Sequence, residues 1–130
     1  MTENPADKRR FKRVPDSFLI MYRVRFPFTV HVRIGMKECD AVATDVGEEG
    51  IGFLTNYDIP ANSLLNLQFN ILNETAPFRE LGSRAFELDG EVRYVLLSSY
   101  GYQLGIHFMK IGQRDRDFIA RYVETKIGQD

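Results

Sequence analysis

The sequence predicts a mainly β domain of six or seven antiparallel strands, arranged as a barrel or sandwich, with one C-terminal helix capping an open end. Three observations carry this reading. Apolar residues recur at every second position in several stretches, the period of a strand with one buried face. Those stretches are short and separated by turn-forming residues at hairpin spacing. Only near the C-terminus does the apolar period lengthen to that of a helix. The chain has 130 residues, 44% of them hydrophobic and 12% aromatic, enough for one domain with a real core.

Residues 1–7 are polar, contain Pro5, and are expected to be disordered. Lys8-Arg9-Arg10-Phe11-Lys12-Arg13 follows as a basic arm that ends at Val14-Pro15. Proline biases the residue before it toward extended backbone, so the arm should leave the domain extended. From Ile20 to Ile34 the even positions are apolar and the odd ones mostly polar, predicting strand. Pro27 lies on the polar parity and removes a ladder donor, which implies an edge position, a bend or two strands in succession. Gly35-Met36 reads as a hairpin turn and residues 37–45 as a weaker strand.

Asp45-Val46-Gly47-Glu48-Glu49-Gly50 reads as a loop, and Ile51–Leu54 as a short strand. Residues 56–62 have turn chemistry, and Leu65, Leu67 and Phe69 alternate with polar residues as a further strand. Residues 70–85 show no clear period and read as a long loop. Phe86 to Leu96 carries the strongest strand alternation, Ser98–Gly101 turns it, and Tyr102, Leu104, Ile106 and Phe108 form the return strand. Phe118, Ile119, Tyr122, Val123 and Ile127 then lie on one face of a helix over about 113–127. Asp115 and Asp117 in its first turn and Lys126 in its last follow the charge order the helix dipole favours, with Gly128 as a stop.

Net charge is −1, so there is no global field for a polyanion. The distribution is uneven. Five of the 17 basic residues fall in 8–13, and the rest of the chain holds 12 basic against 18 acidic residues, a balance of −6. A basic arm on a mildly acidic body implies a local anion site or a tether. One cysteine, Cys39, excludes an internal disulfide and a multi-cysteine metal site. The N-terminus has no apolar region of a signal peptide, and no stretch is long enough to span a membrane, so a cytoplasmic protein is expected.

Catalytic constellations are not found. His31 and His107 both fall on the polar parity of predicted strands, and Cys39 has no evident neighbouring base. No phosphate-binding or dinucleotide fingerprint occurs, and the acidic residues lack metal-loop spacing. A binding module without catalytic or metal residues is the expectation. Two features suit it. Arg9, Arg10 and Arg13 offer planar forks that bind phosphate oxygens, or the O6 and N7 edge of a guanine. Asp45 is acceptor-only and can take hydrogen bonds from a guanine's N1–H and N2–H₂ edge, while Gly47 and Gly50 permit close approach.

Together these features resemble the PilZ domain family, bacterial receptor modules for cyclic di-GMP. That family is a six-stranded antiparallel β-barrel with a C-terminal helix. It carries RxxxR just before the first strand and [D/N]xSxxG after the second. Arg9-Arg10-Phe11-Lys12-Arg13 resembles the first motif, and Asp45-Val46-Gly47-Glu48-Glu49-Gly50 the second. Tyr102–Phe108 and residues 113–127 are similar to the family's last strand and helix, so the resemblance spans residues 8–127 as one domain.

The resemblance implies cyclic di-GMP as ligand. Arg9 and Arg13 would hold a guanine Hoogsteen edge and phosphate, and Arg10 would stack or contact phosphate. Asp45 would take the guanine donor edge, and Gly50 would set the loop. Binding would fold the arm onto the barrel and signal to a protein partner, of the motility or exopolysaccharide machinery. Gly47 stands where the motif has serine. Loss of that hydroxyl implies about 1–3 kcal/mol of lost binding, and tighter binding by Gly47→Ser. The segment between the motifs is long, and residues 17–26 are expected as an extra strand or added surface. A monomer or homodimer that binds neither nucleic acid nor membrane completes the expectation. The alternatives are a degenerate PilZ-like protein-interaction domain and a small nucleic-acid-binding barrel.

Overall fold

The computed structural model describes residues 12–73 and 82–128. Its elements in chain order are β1 (Arg13–Pro15), β2 (Leu19–Phe26), α1 (Phe28–Arg33), β3 (Cys39–Gly47) and β4 (Gly50–Thr55). Then come β5 (Leu64–Leu72), β6 (Ser83–Ser98), β7 (Gly101–Met109) and α2 (Gln113–Gly128). The strands run β1-β3-β2-β5-β6-β7-β4, and β4 pairs back onto β3. Six strands therefore close a barrel, all pairings are antiparallel, and β1 lies as a seventh strand against β3. Closure removes the free edges of an open sheet.

The predicted alternation places the core. Ile20, Tyr22, Val24, Leu65, Leu67, Phe53, Leu104 and Ile106 are inward and essentially inaccessible. Phe69 stacks on Phe86 with ring centroids 5.0 Å apart, and Phe118 of α2 meets Phe86 edge-on at 5.8 Å. Aromatic pairs of this geometry add about 0.5–1.5 kcal/mol beyond their burial. α2 buries Ile119, Tyr122 and Val123. It is tied down by Arg84 Nε donating to Asp115 at 2.7 Å and by the Tyr122 hydroxyl donating to Asp16. Among the described residues no helix is long and apolar enough to cross a membrane.

Several expectations are corrected. Strand ends at Phe26, and residues 28–33 form α1. Pro27 has no N–H to continue the ladder and sits instead at the N-cap, in extended conformation. The alternating apolar residues contain a helical pair four apart, Val30 and Ile34, which are buried, whereas Phe28 and Val32 are 62% and 48% exposed. His31 is accordingly on a helix. Gly35 and Met36, both with positive φ, end that helix and form no hairpin. Residues 17–26 are no added surface: their strand, β2, sits between β3 and β5 in the barrel wall, and the extra strand is β1. The long loop shrinks, because β5 runs to Leu72 and β6 starts at Ser83, paired together. Between Asp45 and Gly50 only Glu48 and Glu49 form the turn; the other four belong to β3 and β4. α2 ends on Gly128 itself. Residues 1–11, with most of the basic arm, lie outside the described residues.

Candidate functional site

The site is built on the outer face of β3, β4 and β7. β1 lies antiparallel to β3, with Arg13 opposite Gly47, Val14 opposite Val46 and Pro15 opposite Asp45. Val14 is buried, and the Asp16 amide donates to the Thr44 carbonyl at 3.1 Å. These contacts fix the direction in which Arg13 leaves the backbone. Its Nη1 donates to Asp45 Oδ1 at 3.3 Å, and its Nη2 lies 3.5 Å from the Ile106 carbonyl oxygen. The two side chains are 14% and 27% exposed, so the pair is largely sheltered from solvent. An ion pair of this kind contributes about 1 kcal/mol.

The floor beneath is glycine. Gly50 lies under the Arg13 guanidinium, and a Cβ there would collide with Arg13 Nη2 and the Ile106 carbonyl. Gly52 lies under Asp45: a Cβ would come 2.9 Å from Asp45 Oδ1 and 3.0 Å from Gln103 Nε2. Gly105 lies under the Tyr94 ring, which a Cβ would overlap. Asp45, Gly52, Gly105 and Tyr94 stand in one cross-strand row over β3, β4, β7 and β6. Gln103 Nε2 donates to Thr44 Oγ1 at 2.8 Å and borders that row.

Two register shifts set the row. One lies between Ala43 and Asp45 in β3, the other between Val92 and Tyr94 in β6. An extra residue in a strand re-aims the side chains beyond it, here turning Asp45 and Tyr94 onto the glycine floor. The result is a shallow outer surface with a cationic fork, a carboxylate, a side-chain amide and an aromatic ring. Such a set can bind an anion, a base edge and a planar ring together.

A family model for the PilZ domain matches residues 7–125. This chain belongs to the PilZ domain family. No curated protein matches it. Among solved structures it is similar to the Bacillus subtilis inhibitor of motility MotI/DgrA, with TM-score 0.75 and 12% identity over 95% of this chain and 53% of that one. It is similar to Escherichia coli YcgR in complex with c-di-GMP, with TM-score 0.67 and 10% identity over 94% of this chain and 47% of that one. The isolated PilZ domain of YcgR with c-di-GMP matches with TM-score 0.61 and 11% identity, over 94% of this chain and 93% of that domain. The chain thus spans about half the length of MotI and of the longer YcgR chain. At these identities the likeness is one of fold.

Of the sequence-predicted site residues, this PilZ fold brings together Arg13, Asp45, Gly47 and Gly50. Arg9 and Arg10 lie outside the described residues. Gly52, Gln103, Gly105 and Tyr94 were not singled out from the sequence. Gly52 and Gly105 carried a signal, since glycine inside a strand marks a close approach. Among the described residues no cluster of three or more His, Cys, Asp or Glu side chains could hold a metal ion.

Proposed function

We propose that this chain is a non-catalytic, cytoplasmic receptor for cyclic di-GMP. In this reading Arg13 binds a guanine Hoogsteen edge or phosphate, and Asp45 accepts from the guanine N1–H and N2–H₂ edge. Arg9 and Arg10 complete the cationic side, and Gly47 and Gly50 leave room for β1 and the Arg13 guanidinium that the ligand meets. The observation that carries the reading is the Arg13–Asp45 pair laid over a glycine floor. It joins the two motifs into one surface whose donors and acceptor match a molecule of two guanines and two phosphates. The likeness to YcgR in complex with c-di-GMP supports the same ligand class.

Binding would bring the arm and the barrel together around the ligand and present a changed surface to a protein partner. The likeness to an inhibitor of motility supports a partner in the motility machinery. Isothermal titration with cyclic di-GMP tests the proposal. Wild type should give saturable heat in the micromolar range, and Arg13→Ala should weaken binding at least about tenfold, the loss of one charge-assisted contact. No heat from wild type at high micromolar ligand overturns the receptor reading and leaves a protein-interaction domain.

A further inference from the structure

Gly47 invites a different reading from a lost serine. Its φ lies outside the left-handed region, so any residue could adopt its backbone conformation. What excludes a side chain is space. A Cβ at 47 would lie 2.7 Å from the Lys12 carbonyl oxygen, 2.8 Å from Arg13 Cγ and 3.4 Å from Arg13 Cα. Two of these atoms are backbone, so the strand itself would have to move. Gly47 is the register partner of Arg13, the first residue of β1. A three-residue strand has little pairing with which to resist such displacement.

We infer that Gly47 is a positioning residue: its missing side chain lets β1 dock as a seventh strand and sets Arg13 over Gly50 against Asp45 before any ligand arrives. The barrel end of the arm is then pre-placed. With β1 docked as it is, a side chain at 47 needs the Lys12–Arg13 segment to shift, so Gly47→Ser should loosen the site. That is the opposite of the result expected if Gly47 were only a missing hydroxyl.

The inference concerns the ligand-free protein and can be tested there; its binding arm rests on the cyclic di-GMP reading. The variants are Gly47→Ala and Gly47→Ser, with Gly112→Ala as control because nothing lies within 4 Å of a Cβ at 112. Amide hydrogen exchange is followed by NMR without ligand. Both Gly47 variants should speed exchange of the Asp16 amide, now bonded to Thr44, about tenfold or more, with β5–β6 amides unchanged. Gly112→Ala should change neither. Because the barrel closes without β1, both variants are expected to fold, and retained β5–β6 protection checks this. A loss confined to β1 is the positioning signature, and a loss that extends equally to β5–β6 overturns the inference. In titration with cyclic di-GMP both Gly47 variants should bind about tenfold more weakly. Unchanged Asp16 protection in both variants, or tighter binding by Gly47→Ser, overturns the inference. If wild type binds no cyclic di-GMP, the receptor reading falls while the exchange result still decides this one.

Discussion

Gly52→Ala separates binding from stability at a single position. Gly52 lies in β4 with no positive φ, so alanine suits its backbone, and the lost chain entropy of glycine favours the variant by about 0.4–1 kcal/mol. Against this, the new Cβ comes 2.9 and 3.1 Å from the two Asp45 carboxylate oxygens and 3.0 Å from Gln103 Nε2. Asp45 is 27% exposed and can swing outward, away from Arg13, with the loss of an ion pair worth about 1 kcal/mol. These terms nearly cancel, so the melting temperature should move by no more than a few degrees. Binding has no such offset. Displacing the carboxylate removes charge-assisted hydrogen bonds of about 1.5–3 kcal/mol, a 10- to 150-fold rise in the Kd for cyclic di-GMP. Thermal unfolding and isothermal titration on the same preparation measure both. Unchanged affinity together with an unchanged melting temperature would refute the role given to Asp45. A large fall in stability would refute the claim that Asp45 and Gln103 can yield.

Two further predictions concern the barrel. Phe69, 4% exposed and packed between Phe18, Phe86 and Phe108, should cost about 3–5 kcal/mol when replaced by alanine, read as a lower urea midpoint; a loss below 1 kcal/mol would mean the aromatic stack is not the core of that end. Burial holds the Tyr22 hydroxyl well above its ordinary value of 10.0 and raises the Cys39 thiol above 9.0. Each group is an acid whose neutral form the fold favours, so its contribution is present below the ordinary value and lost as pH rises through the folded one. Stability should therefore fall from about pH 9, with the tyrosine part, up to about 1.4 kcal/mol per pH unit, setting in above pH 10. Tyr22→Phe should flatten that part; at neutral pH it should cost about 1 kcal/mol through the 2.6 Å hydrogen bond to Thr55. Parallel urea midpoints for wild type and variant from pH 9 to 11 would contradict this.

The legible elements were those whose apolar period had one reading. The long alternation from Phe86 to Leu96 reads as strand, and the face carrying Phe118, Ile119, Tyr122 and Val123 as helix, as found. Residues 28–34 allowed two readings, because alternate positions include positions four apart. Val30 and Ile34 serve a short helix as well as they would a strand. Tertiary packing chose the helix, burying those two and leaving Phe28 and Val32 outside.

For the site, arginine forks, a carboxylate and flexible glycines are properties of residues, and the resemblance to the two PilZ motifs singled out Arg9, Arg10, Arg13, Asp45, Gly47 and Gly50. Their arrangement is a property of pairing. Arg13 meets Ile106 across 93 positions of sequence, and Gly105 faces Tyr94 only because a register shift in β6 turns that ring onto it. No local pattern encodes such meetings, because they depend on which strands become neighbours and where one gains a residue on the next. By itself the sequence determined a β domain with a basic arm and an acidic, glycine-bearing loop. Only the closed barrel decided that β1 docks on Gly47 and that Gly52 and Gly105 continue the floor. Closure brings distant backbones within ångströms of each other, and at those contacts a side chain has no room.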